Sequence, residues 1–335
     1  MTFSAIVPVY NVAPFLRDCI GSLIGSAAAA GGASVELVCI DDGSTDGSGE
    51  VLDELASAAD MRAPNVSMRV VHKPNGGVSS ARNAAMDEAT GDWLVFADAD
   101  DCVRPTFFAD IADAVAVQPD ADLLGFGMVA HFGGDIDWSD DGRGFVDVDI
   151  GHVLSDELVG MSFCRFAYRR DLVEGTRFRP YAIGEDLVFA AEAFARSRKC
   201  MVTHRKEYLY RYREGSATHA DVSIAKLQDT VAFHVEMFRV LESSGKRIGR
   251  AFAEGRGSMW IEEIPKALLP LRKTPDGRKV WEQWLDSMSV AAGLSCLSES
   301  QRRRARRVAA SRSAWSVRLN CRLPAWLRRR GVPWC

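Results

Sequence analysis

The chain has 335 residues, 47% hydrophobic and 26% charged, with a formal net charge of −4. That length suits one large domain or two ordinary ones, and that apolar share excludes wholesale disorder. No uncharged apolar run reaches the roughly 18 residues of a membrane-spanning helix, and eight scattered cysteines without a CxxC pair fit neither a disulfide framework nor a zinc site.

Residues 3–9 (FSAIVPV) form an apolar β-type run. A helix is predicted over 14–30, with Pro14 suited to its first turn and Phe15, Cys19, Ile20, Leu23 and Ile24 at helical spacing. Residues 35–40 (VELVCI) form a second strand that stops at Asp41-Asp42-Gly43-Ser44, after which Thr45 or Asp46 caps a second helix. A third strand over 67–72 leads through Asn75-Gly76-Gly77 into a helix over 78–89. A fourth strand over 92–97 ends at Asp98-Ala99-Asp100-Asp101, Pro105 opens another helix, and 121–130 reads as a fifth strand. Residues 131–160 are loop-rich and acidic, an expected insertion or hairpin. A strand over 161–170, a helix over 185–197 and a last strand over 207–212 follow, and from about 222 the pattern is helical.

Alternation of this kind implies an α/β fold with a mostly parallel sheet flanked by helices. Ligands of such sheets bind beyond the carboxyl ends of the strands. Polar clusters sit at those ends here: Tyr10-Asn11, Asp41-Asp42, Asn75-Gly76-Gly77 and Asp98-Ala99-Asp100.

Each cluster admits a local reading and a chemical one. Asp98 and Asp100, one residue apart where a strand breaks, can approach one hard cation such as Mg²⁺ or Mn²⁺; a short acidic run is also an ordinary solvated loop. Asp41 and Asp42 can accept hydrogen bonds from a nucleoside, and the same run builds an Asx-turn and a helix cap. Arg82 reads equally as a ligand contact and as a surface ion pair. His72, His131, His152, His204 and His234 show no metal-ligand spacing and read as structural. The Trp and Met residues of 237–290 read as helix-packing core.

The ordered set VPVYN (7–11), DDGSTD (41–46), NGGVSSARNAAMDEATGDWLVFADADD (75–101) and GEDLVF (184–189) resembles the family 2 glycosyltransferases. That resemblance implies a GT-A nucleotide-diphospho-sugar transferase fold and a helical C-terminal region. It implies that Pro8 and Tyr10 line a base pocket, that Asp42 bonds the base and that Asp41 supports the loop. Arg82 would position the nucleotide, Asp98 would contact ribose, sugar or metal, and Asp100 would ligate Mn²⁺ or Mg²⁺. Asp186 would be the catalytic base, although its place also suits a carboxylate satisfying free helix N–H groups. Arg211, Arg213, Ser216, Thr218 and His219 would belong to a loop closing over the diphosphate. One base and no enzyme nucleophile imply inversion, and the absence of a QxxRW motif implies a single transfer per encounter.

The expected organisation is a catalytic domain over 1–220, a helical appendage over 221–300 and an Arg-rich tail over 301–335. The eleven arginines of that tail, with no Asp, Glu or Lys, leave the rest of the chain at −15. Arg with Trp315 and Trp326 on an amphipathic stretch suits an anionic membrane surface, a solvated tail or, less well beside an acidic body, nucleic acid. The opening MTFSAIVPVYN has no signal-peptide pattern, so a cytoplasmic site with free thiols is expected, at the inner membrane face if the tail adheres. The implied partners are a nucleotide-sugar donor, a UDP-sugar in the first instance, and a glycan or lipid-linked acceptor. Three rivals stand beside this reading. A nucleotidyltransferase lacks its Gly-rich loop here, a dinucleotide oxidoreductase lacks GxGxxG, and an inactive sugar-nucleotide binding module would keep the motifs without turnover.

Overall fold

The computed structural model describes residues 1–131, 138, 142, 144–148, 162–212, 223–245 and 250–312. They divide into two compact units: Met1–Pro180 with Glu192–Arg213, and Tyr181–Ala191 with the residues from Glu214 on.

The first unit opens with the predicted alternation: β1 (Thr2–Val9), α1 (Ala13–Ala29), β2 (Ser34–Asp41), α2 (Ser48–Arg62), β3 (Val66–His72), α3 (Val78–Glu88) and β4 (Trp93–Phe96). There follow β5 (Cys102–Val103), α4 (Phe107–Val117), β6 (Leu123–His131), β7 (Val146–Val148), β8 (Phe166–Arg169), α5 (Glu185–Arg196) and β9 (Cys200–Arg211). Helix α5 begins in the second unit and ends in the first.

One sheet takes the order β3-β2-β1-β4-β8-β6-β9-β5, with β7 paired to β9. The expected parallel arrangement holds across β3, β2, β1 and β4, and again between β6 and β9. Strands β5, β7 and β8 pair antiparallel with their neighbours, so the sheet as a whole is mixed. The βα repeat dictates only the parallel part; strands of two to four residues are too short to carry a direction in their pattern.

Central parallel strands are covered on both faces, which is why Phe3 to Val7 and Leu37 to Ile40 are buried without alternation. Helix α1 buries Leu16, Cys19, Ile20, Leu23, Ile24 and Ala27 on one stripe and packs on α2, α4 and β5. Phe96 at the end of β4 meets the rings of Phe163, Tyr168 and Phe178 at 5.4, 5.7 and 5.5 Å.

Two predicted strands change extent. The stretch 161–170 contains a 3₁₀ turn, Phe163–Arg165, before the four residues of β8. The strand expected over 207–212 is the second half of β9, whose first half reads CMVTHRK and loses its alternation at His204, Arg205 and Lys206. Of the expected insertion over 131–160, the described part includes β7, which forms an antiparallel pair with β9.

The second unit holds, after the start of α5, α6 (Ile224–Ser243), α7 (Arg250–Ser258), a π-helical turn (Met259–Glu263), α8 (Ile264–Leu271), α9 (Pro275–Gly293) and α10 (Glu299–Ser311). Trp260, Trp284, Met237 and Met288 are fully buried, as a packing role requires. The Trp260 indole N–H donates to Ser287 Oγ at 3.0 Å, and that of Trp284 to the Trp260 carbonyl at 2.9 Å. Helix α10 starts with a Ser298–Gln301 capping box and buries Ala305 and Val308, so it crosses the expected boundary at 300. Residues 313–335 lie outside the described residues.

Candidate active site

The loops after β1 and β2 are tied to each other. Asn11 takes a left-handed conformation, φ 51°, which asparagine tolerates better than most residues. Its Oδ1 accepts from Thr45 N–H at 2.8 Å, while its own N–H donates to Ser44 Oγ at 3.1 Å. Val12 N–H donates to Ser48 Oγ at 3.0 Å. Asp46 serves two helices at once: Oδ2 accepts from Ala13 N–H and Oδ1 from Ser48 N–H, each at 3.0 Å. The formal cap of α2 is Gly47, so Asp46 does the predicted capping from one residue earlier. Burial works against its charge, but the bonds from Ser48 and Ala13 prevail and hold its carboxyl below the usual range.

Pro8 lies in β1 opposite Ile40, and Tyr10 beyond the strand end is 50% exposed. Asp41 and Asp42 are buried at the end of β2. Asp41 accepts from Ser44 N–H at 2.9 Å and meets His72 Nδ1 at 2.8 Å. Burial raises the Asp41 carboxyl, and the Ser44 and His72 bonds more than offset it, so the group sits low. His72, bonded by Asp41 and by Asp53 at 3.1 Å, is shifted up.

The Asp42 carboxylate gathers the next loop. It accepts from Gly76 N–H at 3.0 Å and Gly77 N–H at 2.7 Å and pairs with the Lys73 ammonium. Gly43 brings the two loops together: its φ is +76°, and a Cβ there would stand 2.9 Å from Asn75 N.

The acidic run after β4 goes from the half-buried Asp98 and Asp100 to the buried Asp101. Arg82, on α3 and 4% exposed, donates through Nη2 to Asp98 Oδ1 at 2.8 Å. Its guanidinium lies 4.2 Å from the Phe163 ring centroid and 5.2 Å from that of Phe178, a cation–π contact with two rings that meet edge to face. Arg82 is therefore a buried partner of Asp98 and not a surface ion pair. Asp98 N–H donates to Tyr208 Oη at 3.0 Å, and the Tyr208 hydroxyl donates to Asp101 Oδ2 at 2.7 Å. Asp101 Oδ1 accepts from Arg211 N–H at 2.7 Å. Burial first, then the charges of Asp98 and Asp100, push the Asp101 carboxyl well above its ordinary range. Asp100 is half-buried beside it.

Arg211 is brought to this cluster. Its backbone holds Asp101, and its guanidinium reaches Asp18 at 3.1 Å and lies over the Phe15 ring. Arg213, Ser216, Thr218 and His219, predicted to share a loop with it, lie outside the described residues. Asp186 stands in the first turn of α5, half-buried, in the second unit. Sequence reasoning missed Asp101 and Tyr208. Asp101 was visible as the third acid of DADD; Tyr208 needed the antiparallel pairing of β9 with β5, which no local pattern reveals.

A divalent cation fits the charge of the acidic run. Asp98 and Asp100 repel the buried Asp101 carboxyl strongly enough to help raise its pKa, and a cation relieves that repulsion. Among the described residues no three His, Cys, Asp or Glu side chains gather as a self-sufficient metal cage. Asp98 already spends one oxygen on Arg82, so a cation here needs further ligands from a bound molecule, which is how Mg²⁺ and Mn²⁺ are commonly held with phosphates.

Comparison with known proteins gives one consistent result. The family model for glycosyl transferase family 2 matches residues 4–176. An uncharacterized glycosyltransferase, EpsJ, of Bacillus subtilis is 31% identical over 232 residues, 64% of this chain and 62% of that protein's own length. The succinoglycan biosynthesis protein ExoO of Rhizobium meliloti is 29% identical over 79% of this chain and 78% of its own. The structure of Staphylococcus aureus TarS residues 1–349 in complex with UDP-GlcNAc aligns with a TM-score of 0.69 at 19% identity, covering 96% of this chain and 90% of that one. At that identity the alignment speaks for the fold, which is the GT-A type with a helical C-terminal region.

Proposed function

The chain belongs to glycosyl transferase family 2 and is a glycosyltransferase, and on that premise we propose an inverting, metal-dependent, non-processive enzyme using a UDP-sugar. Its acceptor would be a hydroxyl of a glycan or lipid-linked molecule in cell-envelope or exopolysaccharide synthesis. The observation that carries the reading is the acidic run after β4, locked by Arg82, Tyr208 and the Arg211 backbone at strand ends already rigid with side-chain bonds.

The residues divide the work. Tyr10 offers an exposed ring to the base, and the Asp42-bonded Gly76-Gly77 turn gives a backbone edge that a nucleoside can approach. Asp46 ties the loop after β2 to the start of α1, and Asp41 supports its own loop through Ser44. Asp98 and Asp100 would hold Mn²⁺ or Mg²⁺ together with the diphosphate. Bound there, the cation would neutralise charge developing on the leaving diphosphate. Asp186 would take the proton of the acceptor hydroxyl as its oxygen attacks the anomeric carbon. A hydroxyl with so high a solution pKa needs that acceptor, and a single displacement inverts the centre.

The same reading proposes a catalytic part ending near 220, with the diphosphate loop at Arg211, Arg213, Ser216, Thr218 and His219. It also proposes a cytoplasmic location in which the Arg-rich residues from 301 meet an anionic membrane surface near a lipid-linked acceptor. No helix among the described residues is long and apolar enough to cross a membrane.

The test is UDP binding by calorimetry with and without Mn²⁺, alongside UDP release from UDP-GlcNAc. Asp100→Ala is expected to abolish the Mn²⁺-dependent part of binding. Asp186→Asn is expected to keep binding and lose turnover. Metal-independent UDP binding in the parent protein would refute the cation; full turnover in the second variant would refute Asp186 as base.

A further inference from the structure

Within the second unit, one face of α6 holds the segment that leads into α5. Asp229 Oδ2 accepts from Ala182 N–H at 2.8 Å. The Tyr181 hydroxyl donates to Glu236 Oε2 at 2.8 Å. Between them the Phe233 ring lies against Gly184, where a Cβ would stand 2.1 Å from a ring carbon. Gly184 also has a φ of +84°, so both conformation and space demand glycine. Asp229, Phe233 and Glu236 follow i, i+4, i+7 spacing and share a helix face. The Gly184 carbonyl then accepts from Val188 N–H at 3.3 Å and opens α5, with Glu185 and Asp186 as the next residues.

We propose that α6 is a positioning element for Asp186: Asp229, Phe233 and Glu236 fix residues 181–184 and thereby the place of the Asp186 carboxylate. The proposal rests on Asp186 being the proton acceptor. It gives the helix α6 a task in the reaction that acts through residues 181–184. Three holds on four consecutive residues, ending two residues before Asp186, exceed what a helix start needs for its own N–H groups. Catalysis needs that excess, because a displacement of about 1 Å in a reacting group costs on the order of 100-fold in rate.

The experiment uses the full chain, Mn²⁺ and UDP-GlcNAc, with water as acceptor and UDP release as the signal. Asp229→Ala is expected to lower kcat about tenfold, leave the donor KM unchanged and speed amide exchange in residues 182–188. Asp229→Asn is expected to restore kcat to within about twofold, since its amide oxygen still accepts from Ala182 N–H. Tyr181→Phe removes a single hydroxyl and serves if Asp229→Ala folds poorly; it too is expected to lower kcat at constant KM. The proposal is overturned if these variants keep kcat within about twofold while Asp186→Asn is inactive, or if they raise the donor KM instead. Full turnover in Asp186→Asn has a different signature: it removes the base assignment itself, and this proposal with it.

Discussion

Replacing Glu207 with Gln is expected to remove a specific pH dependence from the stability of this protein. Glu207 lies in β9 and is fully buried. Neither of its carboxyl oxygens accepts a hydrogen bond among the described residues, and the same holds for Asp110 Oδ2 nearby. Arg205 is shared between them, at 2.8 Å from Asp110 and 3.5 Å from Glu207. Burial first, and then the Asp110 charge, push the Glu207 carboxyl from its ordinary 4.5 up to about 7. In the unfolded chain the group ionises near 4.5, so folding is favoured while the carboxyl stays protonated and loses that advantage as pH rises from 4.5 through about 7. A gap of about 2.5 pH units, at about 1.4 kcal/mol each, makes the whole loss about 3 kcal/mol, most of it between pH 5 and 8. Gln cannot ionise and can donate to the unsatisfied Asp110 oxygen. Equilibrium urea unfolding of parent and variant at pH 5 and pH 8 checks this, because the difference between the two proteins isolates Glu207 and its coupling to Asp110. The variant should gain about 2–3 kcal/mol relative to the parent between those pH values. A gain below about 0.5 kcal/mol would refute the assignment of a protonated Glu207.

The second unit should respond to pH in the opposite sense. His234 is fully buried against Phe233 and Trp260, and its Nδ1 meets the Thr230 carbonyl at 2.7 Å, which can only accept, so Nδ1 carries the proton of a neutral ring. Burial pushes its pKa down to about 3, so the stability it supports is complete above 6.5 and drains away as pH falls towards 3; His234→Asn should flatten that acid limb in amide exchange of α6. For the basic end of the chain, vesicles containing anionic lipid should retain the whole protein and release a chain ending at residue 312. Equal retention of both would remove the membrane role of the residues beyond α10.

Much of the first unit was legible because its signals are local. Apolar runs of even length, a Pro in the first turn of α1 and polar residues at each strand end specify the βα alternation without help from distant chain. The site residues announced themselves by type and place, since Asp41, Asp42, Asp98 and Asp100 all fall where strands stop. What these residues bond to was not legible. The burial of Arg82 depends on Phe163 and Phe178, about 80 and 96 residues onward, and no spacing rule reaches that far. The first half of β9 was lost because His204, Arg205 and Lys206 break its apolar pattern where the pairing with β6 slips register, an irregularity that only the partner strand reveals, and the Asp229 contact with Ala182 spans 47 residues. Among the described residues from 223 on, the helices follow from periodicity alone, yet periodicity could not say that α6 and the start of α5 share a unit.

The mutual lacing of the β1, β2 and β3 exits has a thermodynamic consequence. Asn11 bonds Ser44 and Thr45, Asp46 bonds Ala13 and Ser48, and Asp42 bonds Gly76 and Gly77, so this rim is cross-tied before anything arrives. A molecule settling there forfeits little chain entropy, which on a pliable surface would cost about 0.5–1.5 kcal/mol for every side chain brought to rest. Affinity at such a rim is decided by the fit of the newcomer, and loosening any single stitch would tax every ligand alike.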